Sequence, residues 1–292
     1  MTESNESERT PATVLDAPRA RTAALEAGYA SVHLFDSVDS TTTRARELLM
    51  NGTDADRKSL GELSVFSTLY QSDGRGRLAR PWTAPPGACL ATSIVVRPHA
   101  STEPGTRELP EDSYHWLTLV AGLSVVDIWR SYGVDAALKW PNDVIAQGAK
   151  GCGILAQLVP ESGVNEGLRS IIVGIGQNTN MTAEQLPVPT ATSLRLCTGH
   201  TVDSTEVLER LLVAFARRYR AFLRAGGGPE AADPLTGAPS LLDAARAVCS
   251  TLGAEVAMSL PDGSVVRGVA EDMDAQGRIL IRREDGTLAP YA

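Results

Sequence analysis

No two cysteines in this chain are spaced to share a metal ion: Cys89, Cys152, Cys197 and Cys249 are scattered, without a Cys-x-x-Cys pair. That argues against a zinc site and for the reduced thiols of a cytoplasmic protein. No apolar run reaches the ~18 residues of a membrane-spanning helix. The polar, acidic first residues contain no signal-peptide core. Positive charge is in deficit, with 27 Lys and Arg against 35 Asp and Glu, a net charge of −8 and a pI near 5.1. General affinity for nucleic acid is therefore not expected. The familiar nucleotide-binding loops are missing too. Gly74-x-Gly76-x-x-Ala79 imitates a dinucleotide fingerprint, but that fingerprint needs a helix directly after it. Pro81 and then Pro85-Pro86-Gly87 follow instead, and no Gly-Lys-Ser/Thr closes a P-loop.

What the chain does have is enough apolar material, 43% of 292 residues, for one large domain and a small one. Residues 1–28, rich in Glu, Ser, Thr, Ala and Arg, read as a disordered leader. A larger domain is expected over 29–245 and a small one over 246–292. Strands are expected at Ser31–Phe35, Leu63–Leu69, Cys89–Val96, Val134–Trp140, Ile154–Val159 and Ser170–Ile175. Helical periodicity marks Asp112–Ser131 and Thr205–Arg224, and a short helix follows at Ser240–Val248. After that, short strands at Val256–Leu260, Val265–Ala270 and Ile279–Arg282, separated by Gly turns, read as a small β-meander barrel.

Three segments carry more polar chemistry than folding requires. Gln71 to Trp82 packs Arg75, Arg77 and Arg80 among glycines between two expected strands. Glycines let a backbone approach a phosphate closely, and arginine forks match its oxygens. The competing reading is a solvated basic loop. Ser40-Thr41-Thr42-Thr43 opens a helix with four hydroxyls where one cap is sufficient. Lys139-Trp140-Pro141-Asn142-Asp143, followed by Lys150-Gly151-Cys152-Gly153-Ile154-Leu155, sets two lysines, an amide and a carboxylate at a strand–turn–strand corner. An ordinary hairpin with solvated lysines is the competing reading there. Gly174-Ile-Gly176-Gln-Asn178 ends a further strand with an amide side chain where the backbone is open.

Taken together and in their chain order, from Ser40 to Asn178, these segments resemble the biotin protein ligases, also called biotin–[acetyl-CoA-carboxylase] ligases, and the resemblance runs from about Ser31 to the C-terminus. The resemblance implies an α+β catalytic domain with a mixed β-sheet and helices, like class II aminoacyl-tRNA synthetases, plus an SH3-like C-terminal barrel. It implies ATP, Mg²⁺ and biotin as cofactor and substrates, with activation of biotin as biotinyl-5'-AMP. It also implies transfer to a lysine of the biotin carboxyl carrier domain of an acyl-CoA carboxylase. Lys150, Arg75 and Arg77 would be catalytic. Ser40, Thr41, Thr42, Gln71, Gly74, Arg75, Lys150 and Gly153 would bind biotin. Arg75, Arg77, Arg80, Trp82, Lys139, Asn142, Asp143, Lys150 and Asn178 would bind ATP, with Asp143 as the candidate Mg²⁺ ligand. Three positions depart from the family pattern: Thr42 for Asn, Ala79 for Gly and Gln157 for Glu. About 30 residues precede Ser31, fewer than the ~40 a domain needs to fold alone, so a monofunctional ligase without a DNA-binding domain is expected. It would be a monomer or weak homodimer, with no DNA or membrane partner. Two alternatives stay open: a lipoate or octanoate ligase of the same fold, and a non-enzymatic biotin- or adenylate-binding regulator.

Overall fold

The computed structural model describes residues 11–77, 80–101, 104, 106, 109–163, 166–260 and 262–292; Ala79, one of the three departures, lies outside them. It begins with a helix that corrects the expected leader. Over the described part of residues 1–28, helix α1 (Ala17–Glu26) is capped by Asp16 and buries Ala20 and Ala24. Arg19 ties it to Asp203 and Glu209 at 2.7 and 2.8 Å.

Next in chain order come β1 (Ser31–Phe35), α2 (Thr41–Asn51), α3 (Asp54–Ser59), β2 (Leu63–Thr68) and β3 (Leu90–Val96). The expected helix from Asp112 is a 3₁₀ turn over Glu111–Trp116 that passes into α4 (Leu117–Ser131). After it come β4 (Ala136–Lys139), β5 (Asp143–Ala146), β6 (Ala149–Pro160) and β7 (Arg169–Gln177). Strand β5 was not expected. It makes the corner a three-stranded meander and places Asp143 in a strand rather than in the turn. The seven strands form one sheet in the order β1-β2-β3-β7-β6-β5-β4, parallel only at β1–β2.

Side chains alternate along these strands, so each strand serves both faces. Ile171, Val173 and Ile175 of β7 join the main core, which α4 covers from the same side. Beyond α4 lie α5 (Leu194–Thr198) and α6 (Ser204–Arg224); α6 packs on α4 and α1. The opposite face carries Phe66, Val95, Val159 and Ile172, covered by Ala45 and Leu49 of α2. Further along the same face the apolar cover stops, and glycines and hydroxyls take over.

Helix α7 (Leu241–Val248) leads to β8 (Glu255–Ser259), β9 (Val265–Met273), β10 (Ile279–Arg282) and β11 (Leu288–Tyr291). These form the expected small all-β unit, an antiparallel sheet in the order β11-β10-β9-β8. Its Val266, Ala270, Met273, Ile279 and Ile281 are buried in the main core, so it leans on its neighbour. Among the described residues no helix is long and apolar enough to cross a membrane.

Where β3 and β6 end, Arg97 forks onto Glu161 at 2.8 and 2.7 Å, with side chains 5% and 0% exposed. Ser170 also donates to that carboxylate, and His99 Nε2 lies 3.2 Å from it. Burial favours the neutral acid, but hydrogen bonds from His99, Arg97 and Ser170 outweigh it and hold Glu161 well below the usual carboxylate range. Stability from a lowered pKa is present above the unfolded-state value and is lost as pH falls through the folded one. Arg97→Ala leaves a buried carboxylate without its cation, a loss of roughly 3–5 kcal/mol. Urea unfolding near neutral pH should show it; a loss below about 1 kcal/mol would contradict this account of the pair.

Candidate active site

The bare end of the sheet's second face is the floor of a cleft of about 650 Å³. Ala91, Ser93, Gly153, Leu155, Gly174 and Gly176 line it from β3, β6 and β7. The glycines are there because something lies on them. A Cβ on Gly176 would stand 2.7, 2.8 and 3.0 Å from Cε2, Cζ2 and Nε1 of Trp82, and one on Gly153 would stand 3.2 Å from Trp82 Cζ3. The indole N–H of Trp82 donates to Cys89 Sγ at 3.3 Å. Burial pushes the Cys89 thiol up to about 12, against the opposing effect of that hydrogen bond. Cys89 is thus a neutral acceptor, not a nucleophile.

At one end of the floor, hydroxyls gather. Ser40 caps α2 by accepting from Thr43 N, so the other hydroxyls are free for other bonds. Thr41 Oγ1 and Thr42 Oγ1 lie 2.8 and 2.9 Å from Ser93 Oγ. Gln71 Oε1 accepts from the Thr41 backbone N–H at 2.9 Å and from its hydroxyl at 3.2 Å. A helix N-terminus, three hydroxyls and an amide therefore converge on one corner.

At the other end, charge gathers. Lys150 Nζ is 2.6 Å from Asp143 Oδ1 and 5.8 Å from the Trp82 ring centroid. Its backbone is clamped by Thr190 and Thr192 at 2.7 and 2.9 Å. A Cβ on Gly153 would meet its Nζ at 3.2 Å. Arg77 reaches across from the loop to Asn142 Oδ1 at 3.0 Å, and Asn142 Nδ2 donates to the Ile154 carbonyl at 2.8 Å. Arg75 pairs with Asp73 at 2.7 Å, both side chains more than 60% exposed. Arg80 also lines the cleft. Four cations thus face one side-chain carboxylate in a chain of net charge −8. Such a cleft draws in anions.

Two expected site residues sit elsewhere. Lys139, expected to bind ATP, is exposed at the end of β4 and lines a separate small cavity with Thr118, Leu119 and Cys249. Gly74, expected to bind biotin, is buried. Its carbonyl accepts from Trp82 N at 2.8 Å, and a Cβ there would stand 2.4 Å from the Trp82 carbonyl. It shapes the loop rather than lining the site. Asn178 lines the cleft, but its side-chain amide donates to the Thr192 carbonyl at 2.9 Å, which fixes the strand that clamps Lys150. Ser93 and Cys89 were not singled out as site residues from the sequence. A polar residue at an alternate position of an apolar strand, as Ser93 is, was the available signal.

Residues 34–178 match the biotin/lipoate A/B protein ligase family, and residues 251–292 match the biotin protein ligase C-terminal domain. The biotin–[acetyl-CoA-carboxylase] ligase of Mycobacterium tuberculosis is 32% identical over 221 residues, covering 74% of this chain and 72% of that protein. The bifunctional ligase/repressor BirA of Bacillus spizizenii is 32% identical over 198 residues; the match covers 66% of this chain and 55% of that protein, so the chain spans about half the length of that relative. Among solved structures, the biotin protein ligase from Aquifex aeolicus in complex with biotin and ATP aligns with a TM-score of 0.65 and 25% identity. That alignment covers 89% of this chain and 94% of that one. The chain belongs to the biotin protein ligases.

Gly176→Ala should displace Trp82 at a cost of about 1–3 kcal/mol, the usual range for overpacking. Near-UV circular dichroism and urea unfolding would record it. The loss should shrink when Trp82→Ala is combined with it, because the clash is then gone. An unchanged spectrum and stability would contradict the contact.

Proposed function

We propose that the protein activates biotin with ATP and transfers the biotinyl group to a lysine of a biotin carboxyl carrier domain. The supporting observation is the two-ended cleft. A corner of hydroxyls and an amide suits a ureido ring, and a cationic end around Lys150 suits a carboxylate beside a triphosphate. In the first step a biotin carboxylate oxygen attacks the α-phosphorus, the bond to the β-phosphate oxygen breaks, and pyrophosphate leaves. In the second step the acceptor amine attacks the acyl carbon, and the C–O bond to AMP breaks.

Thr41, Thr42, Gln71 and Ser93 orient the ring end. Thr42 stands where the family has Asn, so it offers one hydroxyl in place of an amide. The Lys150 ammonium, held between Asp143 and the Trp82 face, is fixed where charge develops on the carboxylate and α-phosphate oxygens; fixed cations are most effective there. Gly153 lets the substrate come close to it. Arg75, Arg77 and Arg80 cover the phosphates from the loop, and the Arg77–Asn142 bond spans the cleft and keeps water from a mixed anhydride.

Among the described residues no group of three His, Cys, Asp or Glu is placed to hold a metal. Mg²⁺ commonly takes one or two carboxylates with phosphates and water. Asp143 fits that modest share, and the ion would neutralise phosphate charge. The thiols, all free, fit the reducing cytoplasm.

Incubation with ATP and either biotin or lipoate, followed by mass spectrometry, tests the reading. Biotinyl-AMP should form and lipoyl-AMP should not. A lipoyl adenylate in preference to the biotinyl one, or neither, would overturn it.

A further inference from the structure

The seven-stranded sheet does not hold the cleft alone. Met258 and Ser259 of β8 sit on its rim. The C-terminal unit also grips the back of the turn that carries Asn142 and leads into Asp143 at the start of β5. Trp140 is fixed at both ends: its backbone N–H donates to Thr251 Oγ1 at 3.0 Å, and its indole Nε1–H donates to the Gly277 carbonyl at 2.8 Å. Immediately upstream, Leu138 bridges to Cys249, and its carbonyl accepts from Ser250 N and Oγ at 2.8 and 2.9 Å. Gly277 sits between β9 and β10 at φ +69°, a conformation that favours glycine. Two residues beyond Trp140, Asn142 accepts from Arg77, and the next residue, Asp143, holds Lys150. Two hydrogen bonds to Trp140 and three residues of chain thus link the C-terminal unit to both polar contacts at the cationic end of the cleft.

We propose that Trp140 is a positioning residue through which the C-terminal sheet sets Asn142 and the start of β5 at Asp143, so that nucleotide binding depends on contacts made outside the cleft. The hydroxyl corner for the ring lies on α2 and β3, whereas Trp140, which also lines the cleft, hydrogen-bonds to Thr251 and Gly277. The two substrates should therefore respond differently when the grip is loosened. This inference rests on the ATP-dependent function proposed above.

Thr251 does not line the cleft, so it probes the grip without touching the site. Thr251→Val keeps the shape and removes the acceptor; Thr251→Ser restores a hydroxyl. Thr251→Val should raise the KM for ATP about five- to tenfold, the size of one lost hydrogen bond. Biotin affinity by calorimetry should stay within about twofold. Amide exchange over residues 142–146 should quicken, and Thr251→Ser should return all readouts towards wild type. Trp140→Phe, which keeps a ring and loses the indole N–H, should move exchange in the same direction. Exchange over 142–146 that stays at the wild-type rate would overturn the proposal. So would equal weakening of biotin and ATP, or a Thr251→Ser variant no better than Thr251→Val. The exchange measurement needs no substrate. A wild-type protein that makes no adenylate would therefore overturn the function proposed above and leave the mechanical coupling standing.

Discussion

One face of the seven-stranded sheet must be filled at one end and bare at the other. Phe66, Val95, Val159 and Ile172 fill the first part under α2. Gly153, Gly174 and Gly176 leave the second part open, and Trp82 lies flat on two of them. A single β-carbon at Gly176 or Gly153 would remove the ring from its seat or crowd the Lys150 ammonium. Everything chemical in the cleft depends on that gap. It seats the indole against Cys89, lets Lys150 stand between an acidic and an aromatic partner, and brings the loop arginines over the strands from which the lysine projects.

The gap is kept open from outside. Lys150 is clamped by backbone hydrogen bonds to Thr190 and Thr192, and Asn178 holds Thr192 in turn. Behind Gly151, the Trp129 ring fills the space a side chain would take, so the strand cannot shift inwards. The C-terminal sheet grips Trp140 on the far side of the hairpin. The cationic end is thus braced by contacts made behind the face on which a substrate would lie. Such bracing preorganises charge before a ligand arrives.

Much of this was legible in the chain. Helix α6 has strong periodicity, strands β2, β3 and β7 are apolar and β-branched runs, and the polar segments stand out because folding alone does not need them. What was missed has physical reasons. Helix α1 buries only alanines inside its span, which give almost no hydrophobic signal. Strand β5 is four residues long and begins at an Asn-Asp pair that favours turns. Strand β11 contains Pro290, which local propensity disfavours but an edge strand tolerates. Within the site, Lys150 and the arginines were readable as a charge pattern. Ser93 offered only its polar side chain at an alternate position of an apolar strand, and Cys89, one sulfur just before that strand, offered no spacing signature. Gly74 and Gly176 look alike in sequence, yet one makes room for backbone and the other for an indole ring. Lys139 and Lys150 flank the same hairpin and look alike in sequence, yet Lys150 lines the cleft and Lys139 a separate small cavity.

The central claim is that Lys150, and not Lys139, stabilises the charge that develops when the carboxylate meets ATP. Single-turnover pyrophosphate release, measured beside biotin affinity, tests it most directly. Lys150→Ala should slow release roughly 10²–10³-fold, the usual effect of removing one preorganised donor. Biotin affinity should fall far less, and Lys139→Ala should stay near wild type in both measurements. Release that is abolished by Lys139→Ala and near wild type in Lys150→Ala would contradict the account.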